Sequence, residues 1–311
     1  LRWVWNDARY RKLAPAAIGA SLLCLAGLAG LTWRQSLVWR TSVSLWEHAA
    51  QAAPSATTHQ NLGGAYGRVG RLTDAIAQYR AALTFDPTNG PSLNGLAKAL
   101  TDTGQFDEAA RYWDLVLQQS PDNARAHFLY ANVLRTRRQP DQAARQYAEA
   151  LRLDPQMTDA RLGLAGLLAD GGKLDEATSE CRRALERRPD DPMGRYILGN
   201  IFATQRRFEE AATEYRRVLA VNPTFLQAGI NLGNVLELLG RREEAVQAYR
   251  AMVERYPDEH VARYNLANTL AKLGRRDEAI VEYRELLRRN PNDAAARRGL
   301  DGLLGPAPGR G

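Results

Sequence analysis

The side chains best suited to chemistry in this 311-residue chain are amides. Asn61, Asn231 and Asn265 fall at one register of a recurring pattern, and Asn132, Asn200, Asn234 and Asn268 fall three residues further on. Asn94 lies one residue ahead of the first register, and the aromatic residues Phe128, Tyr196 and Tyr264 share its position. A primary amide both donates and accepts, so a ladder of amides can hold the backbone of an extended peptide without dictating its sequence. Aromatic rings beside the ladder add apolar contact. These eleven residues are the candidate peptide groove. A second reading stands beside it, in which Asn-Leu-Gly-Asn is favoured by hydrogen bonds between repeating units.

Other chemistry finds little footing. Cys24 lies in an apolar run and Cys181 at a core position, so neither belongs to a disulfide or metal framework. His59 and His127 are two units apart, and His48 and His260 have no Cys or His at ligand spacing. The acidic pairs Asp107-Glu108, Asp175-Glu176, Glu209-Glu210, Glu243-Glu244 and Asp277-Glu278 recur with the structural period, which marks them as helix-start residues. Gly63-Gly64 and Gly67 follow no strand and form no phosphate loop. The chain is therefore expected to carry no catalytic residue, cofactor, metal or small-molecule substrate. The net charge of +7 is concentrated at the front. Six Lys/Arg and one acid lie in residues 1–40, leaving 36 basic and 34 acidic residues beyond. A near-neutral body argues against nucleic acid as a partner, because phosphate neutralisation needs a concentrated basic face.

The elements that must position the amides are set by seven prolines, Pro87, Pro121, Pro155, Pro189, Pro223, Pro257 and Pro291, each 34 residues from the next. Counting each as position 32 places repeats at 56–89, 90–123, 124–157, 158–191, 192–225, 226–259 and 260–293. Position 20 is then alanine seven times, from Ala75 to Ala279, and position 8 is Gly or Ala. Position 24 is Tyr or Trp, except for Cys181. Small residues at 8 and 20 let antiparallel helices approach, and the aromatic fills the space beside them. Gly70, Gly104, Gly172, Gly240 and Gly274 fall at position 15, where a left-handed cap ends a first helix. Arg138 and Arg206 replace that glycine, which predicts tighter or strained turns there.

This pattern resembles the tetratricopeptide repeat, over seven units. The resemblance implies an all-α, right-handed superhelical solenoid whose first helices line a concave surface carrying the candidate groove residues. The face is similar to the asparagine-lined groove of O-GlcNAc transferases. It departs from the chaperone-binding carboxylate clamp, which needs Lys or Arg where this chain has Gln60, Leu162, Ile230 and Val261. Residues 294–304 read as a capping helix and 305–311 as a disordered tail.

Residues 1–12 form a basic flank, and the uncharged run 13–33 is long enough for a transmembrane helix. Arg and Lys before it place the flank in the cytoplasm and the repeats outside it. Pairs of small residues, Ala16 with Ala20 and Ala26 with Gly30, would allow packing on other membrane helices. Residues 34–55 form a junction and half-repeat cap, with Trp46, Ala49 and Pro54 at repeat positions. The sequence V-W-R-x-x-x-S-L-W from Val38 to Trp46, then Asn61-Leu62-Gly63, resembles the junction in multi-span transmembrane-and-tetratricopeptide protein O-mannosyltransferases and their bacterial relatives. Two functions are therefore expected of the sequence. One is a membrane-tethered module binding a protein or extended peptide in its concave groove. The other is the acceptor-binding tail of a membrane glycosyltransferase whose catalytic domain lies upstream.

Overall fold

The structure is a computed structural model that describes residues 24–28 and 41–305. Every described element is a helix. They are α1 (Ser42–Ala52), α2 (Ala56–Arg68), α3 (Leu72–Phe85), α4 (Gly90–Asp102), α5 (Phe106–Gln119) and α6 (Ala124–Thr136), followed by α7 (Pro140–Leu153), α8 (Thr158–Asp170), α9 (Leu174–Arg187) and α10 (Pro192–Thr204). The remainder are α11 (Phe208–Val221), α12 (Leu226–Leu238), α13 (Arg242–Arg255), α14 (His260–Lys272), α15 (Arg276–Arg289) and α16 (Ala294–Leu304). The chain divides into two compact units, Leu1–Arg138 with α1–α6 and Gln139–Gly311 with α7–α16. Within each unit a helix packs on its chain neighbours, and first helices also meet the next first helix, as α10 meets α8 and α14 meets α12. This is the neighbour-only packing of a helical-repeat stack.

Local chemistry sets both ends of the helices. Ser55, Asn89, Asn123, Asp191, Glu259 and Asp293 precede first helices and accept a hydrogen bond from a first-turn amide, satisfying donors that the helix leaves open. At the other end of α12, Arg241 N–H donates to the Leu236 carbonyl and Gly240 N–H to that of Glu237, a Schellman closure. It needs a left-handed residue, and Gly240 supplies φ +75°. After α10 the same closure is made by Arg206 at φ +61°, with Arg207 N–H on the Phe202 carbonyl. The turns with arginine keep the glycine geometry and carry its steric cost.

Between paired helices the small residues do what their spacing predicts. Each position-20 alanine from Ala75 to Ala279 is fully buried. A Cβ at Gly233 would stand 2.4 Å from the Tyr249 ring, so that ring lies directly on the α12 backbone. Tyr147, Tyr215, Tyr249 and Tyr283 are buried down the core of unit 2.

The expected transmembrane helix requires correction. Of residues 13–33 only 24–28 are described; they are helical and exposed. Among the described residues no helix is long and apolar enough to cross a membrane. The fold class is an all-α repeat stack without a membrane span in evidence. The flank at 1–12 and residues 34–40 and 306–311 lie outside the described residues.

Candidate functional site

In unit 2 the first helices α10, α12 and α14 bring most of the candidate residues together. Tyr196 and Asn200 are one turn apart on α10, Asn231 and Asn234 lie on α12, and Tyr264, Asn265 and Asn268 on α14. Asn234 is exposed and the others are half-buried. In unit 1, Asn94 is exposed on α4, while Asn61 on α2 and Phe128 and Asn132 on α6 are half-buried. The Arg125 guanidinium lies 5.2 Å from the Phe128 ring centre. No hydrogen bond joins Asn61 to Asn94 among the described residues, whereas hydrogen bonds link candidate amides in unit 2.

Those bonds have a definite polarity. The Tyr215 hydroxyl donates to Asn200 Oδ1 at 2.7 Å, Tyr249 to Asn234 Oδ1 at 2.6 Å, and Tyr283 to Asn268 Oδ1 at 2.5 Å. Burial raises the pKa of all three phenols, so they remain protonated donors. The next first helix then adds its own amide. Asn231 Nδ2 donates to Asn200 Oδ1 at 3.1 Å and to the Tyr196 hydroxyl at 3.4 Å, and Asn265 Nδ2 donates to Asn234 Oδ1 at 3.0 Å. Hydrogen bonds between repeats are thus part of why these amides are present. They use only one end of each side chain.

Asn200 Oδ1 and Asn234 Oδ1 each accept twice and are saturated. Their Nδ2 groups are left over, as is that of Asn268. Asn231 and Asn265 have the opposite remainder, a free Oδ1. Along the face the unused groups therefore run N–H, C=O, N–H, C=O, N–H from Asn200 to Asn268. The backbone of an extended peptide offers the complementary alternation.

Beside the ladder the face is aromatic. Tyr196 packs 4.9 Å from Phe225, and Tyr264 stacks on His260 at 6.0 Å. A cavity of about 560 Å³ opens there, lined by Met193, Phe225, Leu226 and Tyr256 among others. Sequence reasoning did not select Phe225, Tyr256 or Met193. Another cavity, of about 510 Å³, lies over α9 and α11. Its Arg182, Arg195 and Arg217 are matched by Glu186, Glu210 and Glu214, and Arg195 and Arg217 pair with Glu214 at 2.7 and 2.9 Å. Its charges are compensated within the protein. Among the described residues no group of three or more His, Cys, Asp or Glu side chains converges as a metal site would require. Burial pushes the Cys181 thiol up to about 12, which leaves it an unreactive core group in the place of an aromatic.

Antiparallel helix pairs stacked by neighbour contacts, with an amide face on the first helices, define a helical-repeat interaction scaffold. Two family models, each described as Tetratricopeptide repeat, match residues 131–192 and 196–260, and 68–133 and 238–300. Together they span well over half of the chain, which belongs to the tetratricopeptide-repeat family. No curated protein matches the chain. Among solved structures it is similar to YrrB, a TPR protein with an unusual peptide-binding site, at 23% identity and TM-score 0.52, covering 59% of this chain and 95% of that one. It is also similar to PilW, a type IV pilus biogenesis factor, at 20% identity and TM-score 0.61, covering 69% and 98%. PilF of Pseudomonas aeruginosa matches at 17% identity and TM-score 0.58, covering 68% and 97%. At these identities the likeness establishes the fold. The family matches begin at residue 68 and do not reach the junction at 13–63.

Proposed function

We propose that this chain is a protein-interaction module that holds an extended, uncharged peptide along α10, α12 and α14. The observation that carries the reading is the alternation of unused amide N–H and C=O groups from Asn200 to Asn268, fixed in polarity by buried tyrosine hydroxyls. An amide that is already oriented loses little freedom when it pairs with a ligand backbone. YrrB, by its description a peptide-binding TPR protein, supports the same use of the fold. No observation favours the glycosyltransferase-tail reading over this one.

Replacing these amides by alanine would confuse binding with folding, because losing Asn200 or Asn234 strands a buried tyrosine hydroxyl. Asparagine to aspartate avoids that. In the pair Asn200→Asp and Asn234→Asp the carboxylates still accept from Tyr215, Tyr249 and the neighbouring amides, while two outward donors become acceptors. The double variant is expected to keep the wild-type melting temperature and to lose capture of an acetylated, amidated random peptide library. The matched control replaces Arg182, Arg216, Arg250 and Arg284 by Ala. Arg216 and Arg250 already pair with Glu244 and Glu278 on the second-helix side. If the arginine variant loses capture and the aspartate variant keeps it, the amide face is not the site.

A further inference from the structure

Two departures from the commonest local pattern of the repeat meet at one place. The residue just before each first helix is Asn89, Asn123, Asp191, Glu259 or Asp293 in five repeats, and each side chain caps the helix that follows. Before α8 and α12 the position holds Met157 and Phe225, whose side chains make no capping bond. Giving up a cap costs roughly 1 kcal/mol, so an aromatic here needs another reason. Three residues earlier, in four of the seven repeats, Asp86, Asp154, Asn222 and Asn290 turn the chain by accepting from the amide two residues on. Ser120, Arg188 and Tyr256 hold that position in the other three, and the Tyr256 hydroxyl donates to the Thr224 carbonyl at 2.6 Å, across the joint between repeats. Phe225 and Tyr256 face the same cavity of about 560 Å³, with half-exposed Met193 on its rim. Places where a repeat abandons its own local consistency are where function is expected.

We infer that this cavity is an anchor pocket for one large apolar side chain, aromatic or branched aliphatic, of the peptide held on the amide ladder. The inference rests on the proposed function and adds the chemistry of its ligand. Phe225 packs against Tyr196, whose hydroxyl accepts from Asn231, so the pocket joins the start of the ladder without a gap. A backbone lying on Asn200 and Asn231 would carry a neighbouring side chain over Phe225. The walls are mainly apolar, with Met193, Phe225, Leu226 and the Tyr256 ring beside the uncharged Asn222, Thr224 and Gln227. The one charged lining residue, Asp191, is already held by the Gly194 amide at 2.8 Å and by Arg188 at 3.2 Å. A charged ligand side chain would find no counter-ion there and would lose its hydration, whereas an apolar one loses nothing polar. Tyr256 fixes the far wall by bonding across the joint, so the pocket is preformed.

The test uses the full chain and an array of acetylated, amidated ten-residue Ala/Ser/Gly peptides. One central position is varied as Phe, Leu, Ala, Asp or Lys. Wild type is expected to bind the Phe and Leu peptides roughly tenfold or more tighter than the Ala peptide, with Asp and Lys weakest. The diagnostic variant is Phe225→Asn, which restores the capping residue used at Asn89 and Asn123 and so does not weaken the helix. It is expected to bind all the neutral peptides at the level of the Ala peptide, erasing the preference while retaining backbone capture. The Asn200→Asp, Asn234→Asp variant should lose every peptide. If wild type binds the peptides with no preference for Phe or Leu, or Phe225→Asn keeps that preference, the anchor pocket is refuted and the ladder stands. If wild type binds none of them, both the ladder and the pocket fall.

Discussion

Arg206 holds a backbone angle, φ +61°, that a residue with a Cβ adopts at a cost of roughly 1–2 kcal/mol. The same turn elsewhere uses glycine at φ +75° to +77°, as at Gly240 and Gly172. Arg206→Gly is therefore expected to raise stability by roughly 1 kcal/mol, the relief being partly offset by glycine's greater freedom when unfolded. A higher urea midpoint with an unchanged slope would show it, and an unchanged or lowered midpoint would mean the arginine side chain has compensating contacts. The strained turns at Arg138 and Arg206 were legible from the two missing glycines in a strict period. The bonding of the amides was not, because Tyr215 and Asn200 are fifteen residues apart and Asn231 and Asn200 thirty-one. One signal was present: every repeat with Asn at position 9 also has Tyr at position 24, whereas the Trp113 and Cys181 repeats carry Lys98 and Gly166. That covariation within one chain is the imprint of a hydroxyl-to-amide bond.

At the scale of elements, α16 shows how a repeat stack is closed. Asp293 accepts from the amides of Ala295 and Ala296 at 3.0 Å and from His260 Nε2 at 2.5 Å, tying the last helix to α14. The Ala296 amide first, then His260, hold the Asp293 carboxyl below its ordinary value. A depressed folded-state pKa means stability that is fully present above the unfolded value of about 3.9 and lost as pH falls through the lower folded value. Amide exchange at Ala295 and Ala296 is thus expected to accelerate selectively below about pH 4, ahead of α12 and α13. Asp293→Asn should remove that step and leave the two amides less protected at neutral pH. If wild-type protection of α16 does not change before the rest of unit 2, the cap is not held by this carboxylate. Helix ends of this kind were legible, since prolines, glycines and capping residues repeat at fixed offsets. The expected membrane helix came from composition alone, in a segment with no repeat period to anchor it. Phe225 and Tyr256 escaped notice because their repeat positions vary along the chain and their meaning depends on the cavity they share.

Across the molecule, charge is sorted by face. Between Met193 and Lys272 the first helices carry Arg195, Glu237, Arg263 and Lys272; Arg195 and Arg263 pair with Glu214 and Glu282 of the second helices, and Glu237 pairs with Lys272 at 3.2 Å. The second helices hold ions as well. Arg241 joins Glu209 at 3.0 Å to Glu244 at 2.6 Å, and Arg275 joins Glu243 at 3.0 Å to Glu278 at 2.7 Å, so each bridge crosses a joint between repeats. Exposed pairs of this kind contribute little apiece and are screened by salt. Their repetition still fixes the offset of one helix pair on the next. The proposed binding face and the joint electrostatics therefore sit on different surfaces and should respond differently to ionic strength. Raising salt from about 0.05 M to about 0.5 M should change the affinity for the neutral Phe or Leu peptide by less than about twofold, while the same change weakens the ion pairs at the joints. Isothermal titration at the two salt levels makes the measurement, with circular dichroism confirming that the helices persist. A loss of tenfold or more at high salt would mean that the bound peptide is read by charge. The ionic second-helix surface, and not the amide face, would then be where this protein meets its partner.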